Sequence, residues 1–439
     1  MAWSPQNIAH EVAELATDKK IWVAFSGGVD SHVLLHLLVH HLDLSSEQLG
    51  AIHVDHGLHP SSKIWAQQCA EVANSFNVEF KLLTVKVKNS DKLGMEAAAR
   101  EARYYALQNA VEEDDLLLTA QHQDDQAETV LLQLFRGAGP KGLSAMAQSS
   151  KLANVSLIRP LLTVSQYDIH AYAEAHQLKW IEDPSNSETQ WNRNYIRHYL
   201  WPIIKNRWPS AAKTISRSAE HCAETSALLA QLAKQDCTLS SIEPLADSYS
   251  IPALLSLPQS RLRNVLRHLM IWNNHLLPSA DILQSIIDDL CLAKQDSDPL
   301  ISWTGVELRR YQNRLYRMSQ LSIHDNNQQI ECNYDHTIKL NNGRVLEWIK
   351  AIGKGVNKAQ ATTLKIQFRQ GGERIKPQGS HHHKSLKHLF QEWQIPPWQR
   401  DRIPLVFCGD ELVAVMGYCI SEGYAVEAHE IGYTLQYSD

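Results

Sequence analysis

Up to about residue 210 the chain alternates between two hydrophobic patterns. Short apolar runs at 21–25, 49–55, 79–87, 115–120 and 155–162 have the length and near-continuous hydrophobicity of buried strands. Between them lie helix-like segments at 31–41, 61–75, 95–112, 124–136 and 165–176. Continuous apolar strands separated by helices predict a parallel sheet covered on both faces. In such a sheet a ligand binds at the carboxyl ends of the strands.

From about residue 211 the alternation stops. Segments 211–235, 259–273 and 279–293 read as amphipathic helices, followed by strand-like pieces at 300–303 and 309–311. A polar stretch at 324–329 marks a boundary. Beyond about 335 the pattern is mostly strand-like (364–368, 404–408, 411–416), with one helix at 384–393. The expected architecture is therefore α/β. A doubly wound parallel sheet fills 1–215, a small mainly helical domain 216–323, and a mainly β (α+β) domain 335–439.

Composition changes this picture little. At 439 residues the chain is long enough for two or three domains, and its charged and apolar fractions are those of a globular protein. The first residues lack the basic start and apolar run of a signal peptide, and no uninterrupted apolar run would span a bilayer. The seven cysteines (69, 222, 237, 291, 332, 408, 419) are scattered and form no Cys-x-x-Cys. Reduced thiols and a cytoplasmic location are expected, with no membrane partner. The net charge of −6 does not itself favour nucleic acid. Between Thr189 and Ala219, however, six basic residues stand without one Asp or Glu, and Trp191, Tyr195, Tyr199, Trp201 and Trp208 lie among them. Such a segment suits either a solvated face with core aromatics or a surface that tracks an RNA backbone.

The chemistry begins at Ser26-Gly27-Gly28-Val29-Asp30-Ser31, between the first strand and its helix. Two glycines allow a tight turn whose N–H groups approach a ligand, and the helix start favours an anion. Asp30 is the carboxylate expected to hold magnesium beside phosphates. The ending of a Walker A loop is missing. At the second strand's end, His53-Val54-Asp55-His56-Gly57 would place Asp55 and His53 by the nucleotide, a structural turn being the plain alternative. Arg100 stands four residues after Glu96, so it either closes an ion pair with that residue or clamps phosphate. In Gln121-His122-Gln123-Asp124-Asp125-Gln126-Ala127-Glu128, Asp125 and Glu128 share a helix face one turn apart. Asp124 could instead cap the helix; with His122 nearby, the group reads as an acidic pocket for magnesium or an amine. A glycine-rich loop follows at Arg136-Gly137-Ala138-Gly139, and then Asp183-Pro184-Ser185-Asn186 with Arg193 and Arg197.

This ordered set, with Gly371-Gly372-Glu373-Arg374 and Ile395-Pro396-Pro397-Trp398-Gln399-Arg400 near the end, resembles the tRNA(Ile)-lysidine synthetases of the ATP-pyrophosphatase (PP-loop) superfamily. The first domain would then be a PP-loop ATP-pyrophosphatase of the adenine nucleotide alpha hydrolase type. The other two domains would contact tRNA. The resemblance implies ligation of free L-lysine to C2 of the wobble cytidine of tRNA(Ile) with a CAU anticodon. ATP and Mg2+ serve the reaction through an adenylated cytidine, and the decoding changes from AUG to AUA. It also implies that Ser26, Gly27, Gly28, Val29, Asp30 and Ser31 cradle diphosphate, and that Arg100 neutralises phosphate charge. Asp125 and Glu128 hold the lysine and help deprotonate it. Asp124, His122, Arg193 and Arg197 are expected to face lysine or tRNA. One departure is Gln121, where many members carry a histidine beside that of His122. A homodimer is one expectation. The rivals are a sulfur-inserting tRNA enzyme, for which only Cys69 lies in the first domain, a glutamine-dependent synthetase such as the GMP-forming one, for which no amidotransferase site is recognisable, and a tRNA-binding module with an inactive nucleotide site.

Overall fold

The computed structural model describes residues 3–17, 19–42, 48–87, 95–271, 277–292 and 299–438. Two compact units divide the chain, Met1–Leu232 and Ala233–Asp439.

The first unit is built on strands β1 (Ile21–Ala24), β2 (Leu49–Asp55), β3 (Glu79–Thr84), β4 (Leu116–Leu118), β5 (Ser149–Leu152) and β6 (Val155–Ile158). They lie in the order β3-β2-β1-β4-β6-β5. All neighbours run parallel except β5, which pairs antiparallel with β6. That edge hairpin, turning at Ala153 with a φ of 50°, was not expected from the sequence, because β5 (Ser-Ser-Lys-Leu) carries almost no apolar signal. β1 is central and buried, and the order reverses at its junction with β4. The crevice outside the carboxyl ends of β1 and β4 is therefore the natural ligand position. The helix Val29–His41, which follows β1, is buried from Ser31 through Leu38. A helix apolar around most of its circumference belongs inside, and here it anchors the core.

In the second unit, Ser248–Ser250, Arg314–Ser319, Val306–Tyr311 and Leu300–Trp303 form a four-stranded antiparallel sheet against the helices Gln259–Leu269 and Ala280–Ser285, the latter continuing as a π turn over Ile286–Cys291. The part expected to be mainly helical thus also carries a sheet, whose strands are short and rich in arginine. Two of those arginines are buried and cap helix C-termini. Arg310 Nη1 donates to the carbonyls of Leu290 at 3.0 Å and Cys291 at 3.3 Å, and Arg317 Nη1 donates to that of Leu269. Beyond residue 329 a five-stranded sheet packs against a three-stranded sheet and, through Leu405, Leu412 and Val415, against the helix Leu386–Glu392. All seven cysteines are free, and no described helix is long and apolar enough to cross a membrane.

Candidate active site

The turn after β1 places Gly27 at φ 83°, where a side chain is strained. A Cβ there would lie 2.5 Å from Ile181 Cδ1 and 2.9 Å from Cys69 Sγ. The Ile181 N–H donates to the Gly27 carbonyl at 2.9 Å, so the back of the turn is stapled to a distant segment. Ser31 Oγ accepts from the Ser26 N–H at 3.2 Å, donates to the Gly28 carbonyl at 3.0 Å and meets Ser26 Oγ at 3.1 Å. Gly28 caps the helix Val29–His41 without a side-chain bond. The result is an open helix N-terminus rimmed by hydroxyls, the geometry of an anion cradle. Next to it, His53 Nδ1 lies 2.9 Å from the Phe25 carbonyl, and Asp55 Oδ1 accepts from the Gly57 N–H at 2.7 Å. These two contacts pin the ends of β1 and β2. Burial lowers the pKa of His53 and favours the neutral ring.

Across the crevice the helix Gln123–Phe135 begins at His122. His122 Nδ1 accepts from the N–H groups of Asp124 at 3.2 Å and Asp125 at 3.4 Å, while Asp125 Oδ2 accepts from the His122 N–H at 3.2 Å. This reciprocal cap makes Nδ1 the unprotonated nitrogen and turns Nε2 outward. There Nε2 lies 3.7 Å from Asp30 Oδ1 and 3.5 Å from Asp125 Oδ2. One imidazole thus joins the glycine turn to the acidic helix. Asp30 Oδ1 is buried without a hydrogen-bond partner. Burial is the main cause raising the Asp30 pKa, against the opposing pull of His122.

The next partners come from the helical run that starts at Asn192 and ends at Arg207. Asp125 Oδ1 accepts from Arg193 Nη2 at 3.0 Å and Arg197 Nη2 at 2.8 Å. Glu128 Oε2 accepts from Arg193 Nε at 3.1 Å, and its side chain is only 2% exposed. Burial opposes ionisation of Asp125, but His122, Arg193 and Arg197 together outweigh it and hold the carboxyl below its usual range. Asp124 faces other donors: Trp201 Nε1 at 2.8 Å, the Lys205 ammonium, and the Gln166 N–H at 3.1 Å. Burial raises its pKa, yet these bonds lower it on balance. Arg193, Arg197, Trp201 and Lys205 recur every four residues. On a 3.6-residue helix such a row drifts around the axis, and the wider π turn over Ile196–Leu200 takes up part of the drift.

The structure therefore brings Ser26–Ser31, His122, Asp125, Glu128, Arg193 and Arg197 into one neighbourhood. Arg100 lies exposed on the helix Met95–Ala110, its guanidinium 4.9 Å from the Tyr104 ring. The side chains of Glu96, Ser185 and Asn186 lie outside the described residues. Arg159 escaped sequence reading because it sits within an otherwise apolar run. It follows β6 directly, is buried, and donates from Nη1 to the Ala147 carbonyl at 2.7 Å and to Ser150 Oγ at 3.1 Å. A charged residue at the carboxyl end of a parallel strand was the available signal.

A magnesium ion fits at Asp30. Its unpartnered buried oxygen offers one hard donor, and phosphates and water would complete the shell. Among the described residues no cluster of three or more His, Cys, Asp or Glu side chains could hold a metal.

Three stretches of the chain match known families. Residues 4–204 match the PP-loop domain family, residues 250–316 the TilS substrate binding domain and residues 364–437 the TilS substrate C-terminal domain. The tRNA(Ile)-lysidine synthase of Coxiella burnetii (strain RSA 493 / Nine Mile phase I) is 41% identical over 437 residues, covering 99% of this chain and 96% of that protein. That of Legionella pneumophila (strain Paris) is 40% identical over 418 residues, covering 94% of each. Among solved structures, the U34-tRNA thiolase NcsA from Methanococcus maripaludis has a TM-score of 0.43 at 21% identity, covering 50% of this chain and 78% of that one. With relatives this similar over almost their whole length, the chain belongs to the tRNA(Ile)-lysidine synthase family.

Proposed function

We propose that this chain is the ligase that joins free L-lysine to C2 of the wobble cytidine of tRNA(Ile) carrying a CAU anticodon. The observation that carries the reading is the His122 bridge. Its Nε2 lies 3.7 Å from Asp30 Oδ1 in the glycine turn and 3.5 Å from Asp125 Oδ2, and Asp125 shares Arg193 and Arg197 with Glu128. Two chemical steps can then share a reacting centre.

In the first step the cytosine O2 attacks the α-phosphorus of ATP, and the bond to the β-phosphate breaks to release diphosphate. The N–H groups and hydroxyls of Ser26–Ser31 would receive the charge that develops on this leaving group. Asp30 would hold magnesium, which when bound offsets phosphate charge. In the second step the neutral ε-amine of lysine adds to C2, the proton it sheds passes to water, and the bond from C2 to the adenylate oxygen breaks to give lysidine and AMP. Asp125, ionised but already accepting from Arg193 and Arg197 at Oδ1, would share its second oxygen with the lysine ammonium. Asp124, already engaged by Trp201 and Lys205, would position the helix that carries it. The catalytic part would be 1–215, with 216–323 and 335–439 contacting tRNA.

The test is mass analysis of tRNA nucleosides after reaction with ATP and isotopically labelled lysine. Label in a cytidine-derived nucleoside is the expected result, with diphosphate release dependent on the RNA. Diphosphate release that needs no RNA, or RNA that gains no label, would overturn the assignment.

A further inference from the structure

The helical run that supplies Arg193 and Arg197 has a second face with no role in the site described. On it stand Tyr195, Tyr199 and Ile203, four residues apart like the inner row and two positions out of step with it, and Trp208 follows at the end. They are 50%, 52%, 69% and 60% exposed. The inner face is occupied by comparison, since Ile196 and Trp201 are buried and Trp201 packs with Ala127, Ala211 and Ala212. The Tyr195 and Tyr199 rings lie 5.1 Å apart, and the Arg207 guanidinium lies 5.7 Å from the Trp208 ring. Arg207, Lys213 and Arg217 are exposed in the same stretch of sequence, and no acidic residue occurs between Thr189 and Ala219.

We infer that Tyr195, Tyr199 and Trp208 form a stacking face for unpaired nucleotides of an RNA loop, with Arg207, Lys213 and Arg217 along its phosphates. Aromatic planes bind unstacked bases whatever their sequence, and the flanking cations match the charge of the backbone. A cationic helix face could also lie on a membrane, but that needs a broad aliphatic surface, and Ile203 is the single aliphatic side chain in this row. The inference deepens the activity proposed above and rests on it. The outer face would hold loop nucleotides beside the reacting cytidine, while the inner arginines serve the carboxylates.

The test uses the full-length protein and a synthetic RNA hairpin with the CAU loop, against the same stem as a blunt duplex. Wild type should prefer the hairpin. The double variant Tyr195→Ala/Tyr199→Ala should bind it about tenfold or more weakly while its duplex affinity stays unchanged. Tyr195→Phe/Tyr199→Phe, which keeps both rings, should restore hairpin binding. The hairpin should also quench a fluorescence component that is missing in Trp208→Phe. Equal hairpin affinity for the Ala variant and wild type overturns the face, as does binding of anionic vesicles that the Ala variant loses while its hairpin affinity stays. If wild type makes no lysidine yet the Ala variant loses hairpin binding, the proposed activity falls and the stacking face stands.

Discussion

Arg197 grips Glu128 side-on, its Nε donating to Oε1 at 2.7 Å and its Nη2 to Oε2 at 2.8 Å. The carboxylate is nearly buried, whereas the arginine keeps 31% of its side chain in solvent. Removing Glu128 would leave a partly buried guanidinium short of charge, so Glu128→Ala should cost about 2–3 kcal/mol of stability. Arg197→Lys keeps the charge but loses the two-pronged geometry. It should fold normally, with lysine incorporation reduced about tenfold or more. Thermal melting together with the rate of labelled lysine incorporation separates the two effects.

The glycine turn offers a paired contrast. Gly27→Ala meets both an unfavourable φ and the side chains of Ile181 and Cys69, so about 1–3 kcal/mol of stability should be lost along with diphosphate release. At Gly28 an added Cβ would meet only Ser26 Oγ at 3.5 Å. Gly28→Ala should melt near the wild-type temperature yet bind ATP more weakly, because its methyl group would crowd Ser26 Oγ, one of the hydroxyls that rim the cradle. Equal melting temperatures for the two variants would contradict this account of the turn.

A group of imidazoles lies on and beside the helix Val29–His41 that this turn opens. The His36 ring centre is 4.2 Å from that of His40 and 4.8 Å from that of His176, and its Nδ1 is 2.9 Å from the Tyr172 hydroxyl. Burial, then the neighbouring histidines 40, 176, 32 and 41, push its pKa from 6.5 down to about 4. Between those values the unfolded chain binds the proton and the folded one does not. Stability is thus complete above 6.5 and falls as the pH drops toward 4, by on the order of 3 kcal/mol. His36→Gln, which can still bond Tyr172, should flatten this acid limb when urea midpoints at about pH 7 and about pH 5 are compared.

In the second unit, Trp398 is buried against the four-stranded sheet, its ring centre 5.3 Å from that of Tyr316 and 6.3 Å from that of Tyr311, with the Arg309 guanidinium 5.5 Å away. Arg400 Nη2 adds a hydrogen bond to the Tyr311 hydroxyl at 3.2 Å. These contacts fasten the last part of the chain to that sheet. Trp398→Ala should cost about 3 kcal/mol and expose the 324–329 stretch to limited proteolysis. Trp398→Phe should lie between the variant and wild type.

Much of the first unit could be read in the sequence because its signals are local. A continuous apolar run marks a strand wherever it sits, and the glycine turn carries its chemistry in adjacent residues. Asp124 shows where this stops. Its neighbours in the chain point to a helix cap or a pocket residue, but its carboxylate is claimed by Trp201, 77 positions away, and by Lys205. His122, not Asp124, caps the helix, since a ring nitrogen can accept from the same N–H groups. Likewise, the arginines in the middle strands look like surface charge until helix ends are found above them. Pairings between distant segments leave no periodic trace.

The backbone hydrogen bond from the Ile181 N–H to the Gly27 carbonyl makes the spacing between the helix Gln166–Ala175 and the end of its following loop a quantity that the chain must conserve. An extra or missing residue between His176 and Ile181 would drag the floor of the phosphate cradle out of line while leaving Asp125 and Glu128 in place. Length variation among related chains should accordingly collect elsewhere, and a circular permutant opened at this point should fold yet handle nucleotide poorly.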